Sequence, residues 1–196
     1  LLHAFNELDK TEGIYSLKYN SVAQTNILTS GPYQYHGMRQ AQEGKELIFT
    51  QENFSTFPDI KSTHSFKKVN SVSQANPQIN TYNWGTAELF HWTSLEGQPL
   101  EGLLIKPENF DPSKKYPMIV NFYEQNSINL HRHDARNPGR STINYSFYSS
   151  RGYIIFNPNI NYRTGYPGES AYNSVIPGVI ALINQGFVDP DNIGIP

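Results

Sequence analysis

Lys114-Lys115-Tyr116-Pro117-Met118-Ile119-Val120-Asn121-Phe122-Tyr123 decides how this chain is read. A short, almost unbroken apolar run, opened by a lysine pair and a proline, fits a strand of a parallel sheet covered on both faces; a half-exposed strand would alternate. The next run, Glu124-Gln125-Asn126-Ser127, is abruptly polar and stands at the carboxyl end of that strand. Open α/β folds place their ligands there. Function is expected at the same end.

Downstream the pattern repeats. Residues 141–152 predict a helix, with Ile143 and Phe147 four apart, Tyr148 beside them and Gly152 placed to end it in a left-handed cap. Tyr153-Ile154-Ile155-Phe156-Asn157-Pro158 predicts a second buried strand. Over 174–185, Ser174 serves as N-cap, Pro177 falls in the first turn, and Val175, Val179, Leu182 and Ile183 form an apolar face that Gly186 ends. Ile193-Gly194-Ile195 opens a third strand. Strand, helix, strand, helix, strand is the grammar of a parallel sheet. Upstream, Glu88–Thr93 and Leu103–Lys106 flank Ser94–Gln98, which predicts a hairpin with a glycine-containing turn.

From Leu1 to about Asn83 the text changes to short β-type runs broken by turn residues: 13–19, 26–29, 46–50, 57–60 and 69–73. Ile14 and Ile60, like Leu28 and Val72, are spaced by about one propeller-blade period of roughly 45 residues. Two blade-sized units or an ordinary small antiparallel sheet both satisfy this pattern. Gln74-Ala75-Asn76-Pro77-Gln78-Ile79-Asn80 reads as the connection between this half and the carboxyl-terminal one.

Composition removes several classes of function. Fifteen basic and 17 acidic residues leave a formal charge of −2, which gives no electrostatic reason to expect nucleic acid or an anionic membrane as partner. The absence of cysteine excludes a disulfide scaffold, a thiolate nucleophile and cysteine-ligated zinc, and leaves the compartment open. No apolar run approaches membrane-spanning length, and the first six residues lack the plan of a signal peptide.

The order hairpin, Lys-Lys-Tyr-Pro with an apolar strand ending in Tyr123, second strand followed by Asn161-Tyr162-Arg163, then Gly186-Phe187-Val188-Asp189 and Ile193-Gly194-Ile195, resembles the prolyl oligopeptidase family, most of all its dipeptidyl peptidase IV-like branch. The similarity covers nearly the whole chain and is strongest from Glu88 onward. Glu52-Asn53-Phe54-Ser55-Thr56-Phe57-Pro58-Asp59 and Asn76-Pro77-Gln78 also resemble the last propeller segments of that family. The resemblance implies a mixed architecture: residues 1–83 as the last blades of a β-propeller, and 84–196 as the first part of an α/β-hydrolase domain, a three-layer arrangement around a mainly parallel sheet. It implies a serine exopeptidase acting near the amino terminus of short peptides through a Ser-Asp-His triad, with no cofactor; both periplasmic and cytoplasmic locations are compatible with it.

In that family Ile-Gly-Ile is followed within two residues by Gly-x-Ser-x-Gly, the strained turn that presents the nucleophile. These 196 residues contain no such motif. The chain therefore reads as a fragment without nucleophile, acid or catalytic histidine, inactive alone and expected to self-associate or to need its missing carboxyl-terminal part. The rival is a non-catalytic relative that keeps the scaffold for binding.

Tyr123 matches the family tyrosine that donates to the oxyanion, and a phenolic O–H in a dry site can stabilise the charge that attack places on a carbonyl oxygen. Where the family often has a small Gly-Pro pair soon after this tyrosine, Glu124-Gln125-Asn126 stand here. Arg163 matches a family arginine, with substrate contact and a structural salt bridge both open. His131-Arg132-His133-Asp134 carries the one tightly spaced histidine pair; a solvated loop is its plain reading, zinc ligation the alternative, and no metal is assigned. Asp189 reads as a turn residue.

Overall fold

Seven strands make up the first of two units in a computed structural model that describes residues 1–18, 25–134 and 143–196. This unit comprises Leu1–Tyr82 with His131–His133. In it β1 (Leu2–Phe5), β2 (Glu12–Leu17) and β3 (Thr25–Gly31) form one antiparallel sheet in that order. A second antiparallel sheet runs β4 (Gln34–Gln40), β5 (Leu47–Asn53), β6 (Thr56–Thr63), β7 (Val69–Ser71). The turns arise from local chemistry. Gly44 supplies a φ of +111° between β4 and β5, and Asn53 Oδ1 accepts the Ser55 N–H at 3.1 Å between β5 and β6.

Ile14 of β2 joins Tyr35 of β4 and Phe49 of β5 in a shared core, with Phe66 stacked on Phe49 at 5.9 Å. Two carboxylates are buried beside it and both are paired: Glu12 Oε2 accepts the Tyr35 N–H and faces His3 Nε2, each at 2.9 Å, and Glu52 Oε1 lies 3.2 Å from His36 Nε2. No closed ring of blades occurs among the described residues. No local pattern in the residues announces β4, which is polar and carries a register shift between His36 and Arg39 where Gly37 takes a φ of +61°.

The second unit holds Asn83–Leu130 and Asp134–Pro196. Its elements are β8 (Thr86–Thr93), β9 (Pro99–Lys106), β10 (Tyr116–Val120), α1 (Tyr145–Ser149), β11 (Ile154–Pro158), α2 (Pro167–Asn184) and β12 (Val188–Gly194). One five-stranded sheet runs β12-β10-β11-β9-β8. β10 is parallel to β11 and to β12, whereas β9 is antiparallel to both β11 and β8. The sheet is thus mixed, because the hairpin turned by Ser94–Gln98 enters it through β9. Gly97, with φ +81°, makes that turn possible.

The strand buried on both faces is β11, not β10. Tyr116, Met118 and Val120 are buried among Ile154, Phe156 and the α2 residues Val175 and Leu182, but Pro117 and Ile119 are only half-buried. The first predicted helix is short. Of the predicted 141–152 segment, residues 141 and 142 lie outside the described residues, and α1 spans five residues capped by Asn144, whose Oδ1 accepts the Phe147 N–H at 2.9 Å. α2 begins at Pro167 rather than Ser174, with Glu169 in its first turn, so Pro177 lies inside it. No helix among the described residues is long and apolar enough to cross a membrane.

Candidate active site

Tyr123 stands three residues past the end of β10, at the edge where the parallel strands of the second unit terminate. The residue is 81% exposed. Its backbone is held. Asn121 N–H extends the ladder to the Phe156 carbonyl at 2.9 Å, the Tyr162 hydroxyl donates to the Tyr123 carbonyl at 2.8 Å, and Ile160 N–H donates to the Glu124 carbonyl at 2.9 Å. Asn159 Oδ1 then takes two successive backbone donors, Asn126 N–H at 2.8 Å and Ser127 N–H at 3.0 Å. Asn159 Nδ2 donates to Ser127 Oγ at 2.7 Å, and that hydroxyl donates to Glu101 Oε1 at 2.7 Å.

Below this edge, the amides of Asn121 and Asn157 both donate to the Tyr145 hydroxyl, the first at 3.0 Å. Asn157 and Tyr145 are buried, so α1 is tied by polar bonds to the ends of β10 and β11. Buried polar groups at a strand end are costly unless paired in this way.

Arg163 follows Tyr162, and its side chain meets residues at the start of α2. Its guanidinium lies 3.0 Å from Glu169 Oε2 and 4.1 Å above the ring centroid of Tyr166, with both charged groups more than half exposed. The neighbouring polar hollow is closed by Asn161 donating to Gln98 at 2.7 Å and Asn173 donating to Glu96 at 3.0 Å. The structure thus gives Arg163 the partners of a surface ion pair.

His131 and His133 belong to the first unit. His131 Nε2 is 3.0 Å from the Asp9 carbonyl and His133 Nδ1 is 3.1 Å from the Phe54 carbonyl, with Phe57 edge-on to the His133 ring at 5.3 Å. The two imidazoles meet carbonyls of different segments. Among the described residues no three His, Cys, Asp or Glu side chains stand close enough to hold a metal ion. Asp189 lies inside β12 rather than in a turn before it, at the irregular stretch between Val188 and Ile193, where its Oδ1 accepts the Asp191 N–H at 3.1 Å.

Solved structures with the same fold include peptidases. The AtxE2 isopeptidase superposes with a TM-score of 0.70 at 12% identity over 95% of this chain and 30% of that one. An acylaminoacyl peptidase from Pyrococcus horikoshii gives 0.66 at 16% identity over 94% and 29%, and dipeptidyl peptidase 4 from Porphyromonas gingivalis gives 0.66 at 16% identity over 94% and 27%. The chain shares the fold of prolyl oligopeptidase-family peptidases. The resemblance read from the residues is borne out at that level, and the chain spans about 30% of the length of the solved chains it matches. No family model matches the sequence.

Asn159 escaped the sequence reading, and Tyr162 entered it only as part of Asn161-Tyr162-Arg163, with no role. The signal available was compositional: three asparagines and a tyrosine in Asn157-Pro158-Asn159-Ile160-Asn161-Tyr162, directly after a buried strand.

Proposed function

We propose that this chain is a segment of a serine exopeptidase of the prolyl oligopeptidase family, residues 1–83 forming the end of its propeller and 84–196 the first part of its α/β-hydrolase domain. One observation carries the reading: Tyr123 lies just past β10, which has parallel strands on both sides, with its backbone fixed and its hydroxyl-bearing ring turned to solvent. β12 pairs with β10 through Gly194 opposite Ile119. Residues following Ile193-Gly194-Ile195, where the family keeps its nucleophile, would arrive at the edge that Tyr123 occupies.

In this reading Tyr123 donates its phenolic hydrogen to the oxygen of the scissile carbonyl as the serine attacks, sharing the developing charge with a backbone N–H next to the nucleophile. The substrate is a short peptide cleaved near its amino terminus, and no cofactor takes part. Arg163 has a secondary place as a contact for substrate. The 196 residues contain no Gly-x-Ser-x-Gly, so they supply half an oxyanion hole and no triad.

The test uses the intact protein that carries this segment. Tyr123→Phe is expected to lower kcat on a chromogenic dipeptide about 100-fold or more with KM little changed, the loss typical of removing one oxyanion donor. An unchanged kcat removes Tyr123 from the mechanism. A substituted serine at the elbow position, with no turnover by the intact protein, establishes the binding-scaffold alternative instead. Sustained, inhibitor-sensitive turnover by the 196-residue chain alone contradicts the assignment of the triad to other residues.

A further inference from the structure

We propose that Asn159 and Tyr162 form a positioning clamp for the Tyr123 turn, a role that rests on the peptidase reading above. Tyr123 is 81% exposed, so packing does little to aim its hydroxyl and the direction of the side chain is set by the backbone that bears it. That backbone is pinned from one side by one short segment. Tyr162 holds the Tyr123 carbonyl, Ile160 the Glu124 carbonyl, and Asn159 the Asn126 and Ser127 amides.

Asn159 is suited to this by its chemistry. Its oxygen has two lone pairs and accepts two consecutive N–H groups, opening the short turn over Ser127–Asn129; its nitrogen donates to Ser127 Oγ, which is left free to donate to Glu101. Ser127 is only 1% exposed, so losing the amide would strand its N–H away from water. Asn159 is itself anchored, its N–H donating to the Glu101 carbonyl at 3.0 Å on β9. The turn is thereby referenced to the rigid sheet, as a reacting group needs when small displacements cost rate. Neither Asn159 nor Tyr162 is required to touch substrate.

Two measurements separate the clamp from the peptidase reading. In the 196-residue chain, Asn159→Ala should speed amide exchange at Asn126 and Ser127 about tenfold or more while the amides of β11 keep their protection. Unchanged exchange at both amides overturns the clamp whatever the protein catalyses. In the intact protein, Asn159→Ala should lower kcat about tenfold with KM within about twofold, and Tyr162→Phe, which removes only a hydroxyl, about threefold. Placed on Tyr123→Phe, both substitutions should lose their effect, because residues acting through one group are not additive. Effects that multiply in that background show a general structural role and overturn the proposal. If exchange responds but the intact protein hydrolyses no peptide, the peptidase reading fails and the catalytic part of the clamp falls with it.

Discussion

Leu95 donates its backbone N–H to the Asn173 carbonyl at 3.1 Å, and Asn173 is the residue whose helical partner would be the missing N–H of Pro177. The turn of the β8–β9 hairpin thus fills an acceptor that a proline inside α2 leaves open. One residue on, Trp92 Nε1 fills the Ser174 carbonyl at 2.8 Å. The proline is tolerated because the hairpin is there.

Pro177→Ala tests this account. Proline in an ordinary helix interior costs about 3 kcal/mol relative to alanine, but here the freed carbonyl is already satisfied, so part of that cost is absent. The substitution is expected to raise stability by about 1 kcal/mol, well short of the full difference. A thermal melt showing a lower Tm, or a gain of the full amount, contradicts the compensation.

Gly178 sets the distance between α2 and the sheet. A Cβ there would lie 2.8 Å from Phe156 Cζ and 2.9 Å from Trp92 Cε2, atoms of two rings that also pack on each other at 5.2 Å. Gly178→Ala gains about 1 kcal/mol of helix propensity and loses about 1–3 kcal/mol to overpacking, so a small net loss is expected. Gly178→Val keeps the clash, enlarges it and gains less propensity. Denaturant melts should rank wild type, alanine and valine in falling order; an alanine variant more stable than wild type would show that the rings yield freely.

What the sequence disclosed depended on how local each cause is. The β8–β9 hairpin was legible because Ser94 and Gly97 sit within its own turn. β11 was legible as an apolar run. β10 is less covered than its apolar run suggests, since Pro117 and Ile119 are apolar yet only half-buried. The start of α2 was misplaced because Ser174 and Pro177 imitate an N-terminus, while Pro167 and Glu169 form the true one. At the candidate site, Tyr123 could be read as a strand-end residue. Asn159 and Tyr162 could not, since their bonds span 32 to 39 residues and leave no periodic trace.

Asp59 gives the first unit a pH-dependent contact. The Ala75 N–H at 2.8 Å and the Ser73 hydroxyl at 2.6 Å favour its ionised form and hold its carboxyl below the ordinary value of 3.8. With the folded pKa depressed, the contribution is present above the unfolded value and is lost as pH falls through the folded one. The group is only half-buried and solvent screens it, so the effect is expected to stay below about 1 kcal/mol. Asp59→Asn should be slightly less stable than wild type at neutral pH, with the gap closing as the solution is acidified below 3.8. A gap that persists at low pH would assign the loss to geometry rather than charge.

Arg163 and Glu169 can be separated by kinetics in the intact protein. Their ion pair is more than half exposed on both sides and is worth no more than about 1 kcal/mol, so neither Arg163→Gln nor Glu169→Gln should move Tm by more than a few degrees. The secondary contact proposed for Arg163 adds an asymmetry that a mutual ion pair lacks. Arg163→Gln should raise KM about threefold and leave kcat unchanged, the pattern of a contact made equally in ground and transition states. Glu169→Gln frees the guanidinium, which stays stacked on Tyr166, and should leave KM unchanged or lower it. Equal effects of the two substitutions on KM would confine Arg163 to its ion pair and remove it from the substrate site.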